Sequence, residues 1–311
     1  MEEKLIPPFA GPLEEFPSSP ELPDGAKVLR LKDRPGNRVD ISFDVVYDER
    51  DGETLHLQIL RPVEDMFNIP PTNRYPLIVY IPGSAWHRQM ISVSFPKMMR
   101  VCERGYVVAI VQYRPSEVSP FPAQIEDAKS AIRYMRKYAE EYWVDPDRVA
   151  VWGDSSGGHT AVMTGFTADS GLDNGLYGEY PTEVKCIVDW FGPTDITKMN
   201  CYPSIADHTE AESNEGQLIG GFHVLDNPQL TTPTNPINYV TADKALPPLI
   251  ILHGSRDQLV PFNQSCRLYE KLKECGQDVE LYKLEGAYHG VGGFNSDEAL
   301  DISLAFVAKY I

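Results

Sequence analysis

Ser155 stands in Gly153-Asp154-Ser155-Ser156-Gly157, a G-x-S-x-G spacing that puts a hydroxyl on a tight turn between a strand and a helix. A serine hydroxyl is a weak nucleophile at neutral pH. It therefore needs a general base, the base needs an orienting group, and the oxyanion formed by attack needs hydrogen-bond donors. The apolar run 149–152 reads as a buried strand entering the turn, and small residues at 153 and 157 let the backbone bend sharply. Taken alone, the same pattern also suits a glycine-rich turn that only packs or cradles an anion. The base and the orienter are what separate the two readings.

The chain has seven histidines. His289, in Gly286-Ala287-Tyr288-His289-Gly290, follows the last strand candidate, on a loop able to reach across the C-terminal edge of a sheet. His253 ends a strand, His159 follows the turn on a helix, His56 lies in an edge sheet, and His208 and His223 lie in a long polar segment. Core or surface roles suit these better. For the carboxylate, Asp257 directly follows an apolar strand and precedes a helix; Asp243 and Asp226 are weaker candidates, and a capping or turn aspartate is the plainer alternative for Asp257. The chain order Ser155, Asp257, His289 is that of α/β-hydrolases. The loop Tyr80-Ile81-Pro82-Gly83-Ser84-Ala85-Trp86 follows the first parallel strand candidate, so the backbone amides of Ser84, Ala85 and Ser156 are the expected oxyanion donors.

These residues require a sheet to bring them together. From residue 75 onward, short apolar runs at 77–81, 107–111, 149–152, 186–190, 249–253 and 279–284 alternate with helical stretches at 95–104, 122–142, 156–168 and 261–275, closed by 298–311. In the second helix, Ile125, Ala128, Ala131, Ile132, Met135 and Tyr138 recur at helical spacing. Upstream, 27–31, 39–47 and 54–60 read as strands of an antiparallel edge, with Asp51-Gly52 as a turn. The expected fold is thus α/β: a mostly parallel central sheet with an antiparallel N-terminal edge and helices on both faces. One domain spans 1–311, with residues 1–26 as an irregular arm and 193–246, where the alternation lapses, as a cap or lid insertion.

Composition narrows the class. A chain of 311 residues, 42% hydrophobic and 23% charged, can bury a full core. Its 28 basic against 45 acidic residues give a net charge of −17, which argues against nucleic acid or anionic membrane as partner. The N-terminus has no secretory pattern and no run is long enough to cross a membrane, so a cytoplasmic location is expected. Five cysteines without C-x-x-C or metal-ligand spacing read as free thiols, and neither a metal nor an organic cofactor is implied.

From about residue 75 to 311 the chain resembles α/β-hydrolase esterases of the feruloyl/acetyl-xylan esterase (BD-FAE-like) type, near the hormone-sensitive-lipase and kynurenine-formamidase branches. The resemblance rests on P-G-S-A-W at 82–86, Asp127, G-D-S-S-G-G-H at 153–159, Gln217 to Gly221, Asn235 to Val240, Pro247 to Gly254, Asp257 with Val260-Pro261, and Gly286 to Gly290. Relatives commonly carry H-G-G-G-W or H-G-G-x-W where this chain has P-G-S-A-W. Backbone donors survive such a change, but the loop's support and the width of the acyl site are altered. The resemblance implies hydrolysis of acetyl or feruloyl-type esters, as on decorated plant polysaccharides, through an acyl-enzyme. The same triad could serve an amidase or formamidase, and the fold could also carry a silent binding protein. Trp86, Trp190, Phe191 and Phe222 are candidate substrate contacts, although buried packing is the commoner fate of such rings.

Overall fold

The computed structural model describes residues 7–12, 15–29, 38–63, 71–168, 171–173 and 175–311. Residues 1–35 and 36–311 form two compact units. The first has neither α-helix nor strand among its described residues. The strand expected over 27–31 is absent at 27–29, and residues 30 and 31 lie outside the described residues.

The second unit is built on an eight-stranded sheet. In chain order its strands are β1 Arg38–Arg50, β2 Glu53–Val63, β3 Tyr75–Ile81, β4 Val107–Val111, β5 Val144–Asp154, β6 Cys186–Trp190, β7 Leu249–Gly254 and β8 Val279–Leu284. They lie in the spatial order β1-β2-β4-β3-β5-β6-β7-β8. The pairs β1–β2 and β2–β4 are antiparallel and all others are parallel. Asp51-Gly52 makes the turn of the β1–β2 hairpin, both with positive φ.

The helices are α1 Phe95–Glu103, α2 Ala123–Lys137, α3 Ser156–Phe166, α4 Asn214–Leu218, α5 Pro228–Thr231, α6 Asn263–Glu274 and α7 Asp297–Val307. Side chains on a strand point alternately to opposite faces, and the core follows that period. Leu77, Val79 and Ile81 of β3 face α2, α3 and α6, whereas Ile78 and Tyr80 face α1 and α7. Because both faces are covered, inner strands such as β3, β4 and β7 read as near-continuous apolar runs, whereas the edge strand β8 carries Glu280 and Lys283.

Several boundaries differ from expectation: β1 and β2 run on to Arg50 and Val63, α7 stops at Val307 rather than 311, and two more differ around β5. Helix α2 ends at Lys137, not 142, because 138–143 turn back and Trp143 takes a φ of +59° to start β5. Strand β5 begins at Val144, where a register shift against β3 accommodates the Asp-Pro-Asp segment that looks like a turn. Residues 193–246 carry only short elements, α4, α5 and 3₁₀ turns. Among the described residues no helix is long and apolar enough to cross a membrane.

Candidate active site

Strand β5 runs directly into α3, and the reversal is concentrated in Ser155, whose φ of +53° and ψ of −127° are rare for a residue with a side chain. The neighbours make that bend obligatory. A Cβ on Gly153 would lie 2.0 Å from the Gly157 carbonyl oxygen, and one on Gly157 would lie 2.0 Å from that of Ile81. The Ser155 amide donates to Trp190 O at the end of β6 (2.8 Å), which fixes the turn against the sheet. Beneath it, Asp154 accepts from the Gly83 amide (2.7 Å) and from Lys97 Nζ (2.9 Å). Burial opposes ionisation of Asp154, yet the Lys97 ammonium and these hydrogen bonds hold its carboxyl below the usual range.

Asp257 and His289 come from the loops after β7 and β8. His289 Nε2 lies 2.9 Å from Ser155 Oγ, and His289 Nδ1 lies 2.7 Å from Asp257 Oδ2. The other carboxylate oxygen, Oδ1, accepts the amides of Leu259 and Val260, both at 2.9 Å. His253 adds support: its Nε2 is 2.8 Å from Val260 O and 3.2 Å from Asp257 Oδ2. A carbonyl only accepts, so this nitrogen carries a proton and offers it to both oxygens. Burial alone would raise the Asp257 carboxyl, but the hydrogen bonds from His253 and His289 hold it well below the carboxylate range. Ser155, His289 and Asp257 thus form a continuous line from hydroxyl to carboxylate, a geometry that can carry a proton from oxygen to imidazole. The weaker carboxylate candidates lie outside it: the Asp226 side chain is 78% exposed beside His223, and Asp243 is exposed at the far end of the same segment.

The three expected oxyanion amides divide. Ser84 N–H donates to Ser156 Oγ (2.9 Å) and is committed to holding the loop, while Ser84 Oγ donates to His87 O (2.6 Å) and lies 2.8 Å from the Tyr113 hydroxyl. The Ala85 and Ser156 amides have no acceptor among the described residues. Ser156 opens α3, so its N–H also lies at the positive end of the helix dipole. Ala85 and Trp86 both have positive φ, at 54° and 60°, which turns the loop over the nucleophile.

Two chambers meet at Ser155. An enclosed one of about 70 Å³ is walled by Ala85, Trp86, Ser156, Leu259 and Val260, and beyond them by Pro193, Ala206, His208, Asn214 and Glu215. A wider, open one of about 320 Å³ is bounded by Gly83, Ser84, Asp154, Phe191, Leu259 and Gly290. Phe191, with its ring 4.8 Å from that of His289, borders the open chamber. Trp86 borders the enclosed one but is 2% exposed, and its Nε1–H donates to His159 Nδ1 (3.1 Å), tying the loop to α3. The remaining aromatic candidates lie elsewhere. Trp190 is wholly buried, donates to Ser303 Oγ (3.1 Å) and faces a cavity beside Lys97 that shares Asp154, Phe191 and Gly290 with the open chamber, and Phe222, half exposed, borders neither chamber.

From the sequence His208 reads as a core or surface residue, and nothing there marks its pairing with Glu215 or the support of Asp257 by His253. His208 Nδ1 lies 2.9 Å from Glu215 Oε1, and its Nε2 lies 3.1 Å from Leu259 O. Burial opposes the charge on this ring, but the Glu215 carboxylate keeps its pKa above the ordinary histidine value. No local signal marks the pair, because it forms between two points of a segment without periodicity. Among the described residues no group of acidic, histidine or cysteine side chains is placed to hold a metal ion.

Comparison with known proteins points in one direction. Esterase LipQ of Mycobacterium tuberculosis is 29% identical over 226 residues, covering 71% of this chain and 52% of LipQ. The chain spans about half the length of curated relatives such as LipQ. Among solved structures, a truncated carbohydrate esterase from gut microbiota superposes with a TM-score of 0.76 at 27% identity, over 88% of this chain and 96% of the other. A bifunctional GH43-CE protein of Bacteroides eggerthii gives a TM-score of 0.73 at 31% identity, over 87% of this chain and 38% of the other. The family described as BD-FAE matches residues 66–272, a span that includes the serine turn and the Asp257 loop. On that match, and on a sheet whose strand ends carry serine, aspartate and histidine in this order, the chain belongs to the BD-FAE family and has the α/β-hydrolase fold.

Proposed function

We propose that this chain is a serine carboxylic ester hydrolase that removes short acyl groups, acetyl foremost, from a bulky hydroxylated alcohol such as a carbohydrate. The observation that carries the reading is the unbroken line Ser155 Oγ, His289 Nε2 and Nδ1, Asp257 Oδ2, at 2.9 and 2.7 Å. His289 takes the hydroxyl proton as Ser155 Oγ attacks the ester carbonyl, and Asp257 stabilises the imidazolium that results. The amides of Ala85 and Ser156 receive the oxyanion. The imidazolium then protonates the departing alcohol oxygen, leaving Ser155 acylated. Water, deprotonated by the same ring, attacks the acyl-enzyme and releases the acid.

The size of the chambers supports the short-acyl reading. About 70 Å³ takes a group of a few non-hydrogen atoms, whereas a feruloyl group would need the open chamber of about 320 Å³. The carbohydrate esterase named among the structural neighbours supports a sugar as the alcohol. The test is a substrate panel of 4-nitrophenyl acetate and hexanoate, methyl ferulate, an N-formyl aryl amine and acetylated xylo-oligosaccharides, combined with a serine-directed phosphonate. Acetyl esters should lead by ~10-fold or more in kcat/KM, and the phosphonate should label Ser155. A fastest rate on the N-formyl amide would transfer the assignment to amide chemistry. Absence of labelling at Ser155 would remove the hydrolase reading altogether.

A further inference from the structure

Glu215 is 3% exposed and borders the enclosed chamber that contains Ser155 and His289. Its Oε1 is paired with His208, but its Oε2 is buried with no hydrogen-bond partner among the described residues. Such an orphaned buried oxygen is destabilising unless a ligand supplies the missing donor. The His208 ring has Glu215 Oε1 at Nδ1, and at Nε2 both Ser204 Oγ (2.9 Å) and the Leu259 carbonyl (3.1 Å). The ring thus holds Glu215 through Oε1 and leaves Oε2 without a donor. Asn214 borders the same chamber; its amide oxygen faces His87 Nε2 at 2.9 Å, which leaves its NH₂ to donate. An acceptor and a donor lining one chamber suit a hydroxyl, which both gives and takes a hydrogen bond.

We propose that Glu215, steadied by His208 and accompanied by Asn214, is the specificity-determining residue of the site and accepts a hydrogen bond from a hydroxyl of the ester substrate. The hydroxyl could belong to the acyl group or to the alcohol beside the ester bond, and the two sources share the same chemistry at Oε2. This inference rests on the ester hydrolase reading above.

Two matched pairs of esters decide it: ethyl glycolate against ethyl propionate for an acyl hydroxyl, and ethylene glycol monoacetate against propyl acetate for an alcohol hydroxyl. In the unmodified protein one hydroxylated ester should exceed its partner by ~10–100-fold in kcat/KM, and the pair that responds identifies the source. Glu215→Gln should reduce that ratio to near one, with thermal unfolding recorded to confirm a folded protein. Turnover of all four esters with no preference in either pair overturns the role of Glu215 alone and needs no variant. A preference that survives unchanged in folded Glu215→Gln also overturns it. No turnover of any ester, with Ser155 unlabelled by phosphonate, overturns both readings.

Discussion

At the scale of single residues, the chemistry depends on how completely Asp257 is enclosed. Two backbone amides and two imidazoles surround one carboxylate, and the imidazoles hold it well below the usual carboxylate range against the cost of burial. Asp257→Asn keeps the shape but offers His289 a donor or a neutral acceptor, and kcat on an acetyl ester should fall by about 10⁴-fold. Ser155→Ala removes the attacking oxygen without changing the φ of the turn, so ester turnover should drop to background while the unfolding temperature stays within a few degrees of the parent. Stopped assays and a thermal melt of the same preparation check both. The nucleophile, base and carboxylate could be read from the sequence because each follows an apolar run that ends at the same edge of the sheet. Ser84 shows where such reading stops: the loop was legible, but which of its amides is committed to Ser156 Oγ depends on a contact 72 residues away in the chain.

Elements hold these groups through a few tight joints. At the β5–α3 joint, Gly157 packs against backbone atoms of Ile81 and Pro82, which cannot move aside as a flexible side chain would. Gly157→Ala should cost ~3 kcal/mol or more, read as a lowered denaturant midpoint, with loss of turnover in whatever remains folded. The second joint connects the end of β4 to α2. Arg114, 3% exposed, makes a forked contact to Asp127, which is wholly buried, with Nη2 to Oδ1 at 2.7 Å. Asp127→Ala removes the buried partner of the guanidinium while Asp51 (2.6 Å) and Glu126 (2.9 Å) remain, and a loss of ~2–3 kcal/mol is expected by urea titration. Strand positions were legible because both faces of the sheet are covered, giving apolar runs such as 107–111 that coincide with β4. The boundaries at 137 and 144 were not, because the turn of Trp143 and the pairing of Tyr75 with Val144 are set by β3, far upstream in sequence.

Over the whole molecule, two buried groups give opposing responses to pH. Burial pulls the His159 ring down to about 4, against its hydrogen bond to Thr234 O. Burial pushes the Asp189 carboxyl up to about 7, against a single bond from the Gly192 amide. Below about pH 6.5 the unfolded chain protonates His159 and the folded chain does not, so acid destabilises the fold until about pH 4. Above about pH 3.8 the unfolded chain ionises Asp189 and the folded chain does not, so rising pH destabilises the fold until about pH 7. Where the windows overlap the two slopes oppose each other, each at most ~1.4 kcal/mol per pH unit. Asp189→Asn removes one of them. The variant should melt higher than the parent at pH 8 and lose stability more steeply between pH 6.5 and 4; parallel melting curves across that range would refute the assignment.

The arrangement of the sheet and of residues 193–246 has a consequence for descent. Nucleophile, carboxylate and imidazole hang from strand ends, whereas Pro193, Ala206, His208, Asn214 and Glu215 all belong to the stretch between β6 and β7. On the proposed reading, the bond-breaking groups and this part of the chamber wall therefore lie in different stretches of the chain and can be inherited separately. A lineage could exchange that stretch by recombination and acquire a new diet while its bond-breaking apparatus passed on unaltered. Grafting the corresponding stretch from a relative should accordingly change which esters are taken while leaving Ser155 reactive towards a phosphonate.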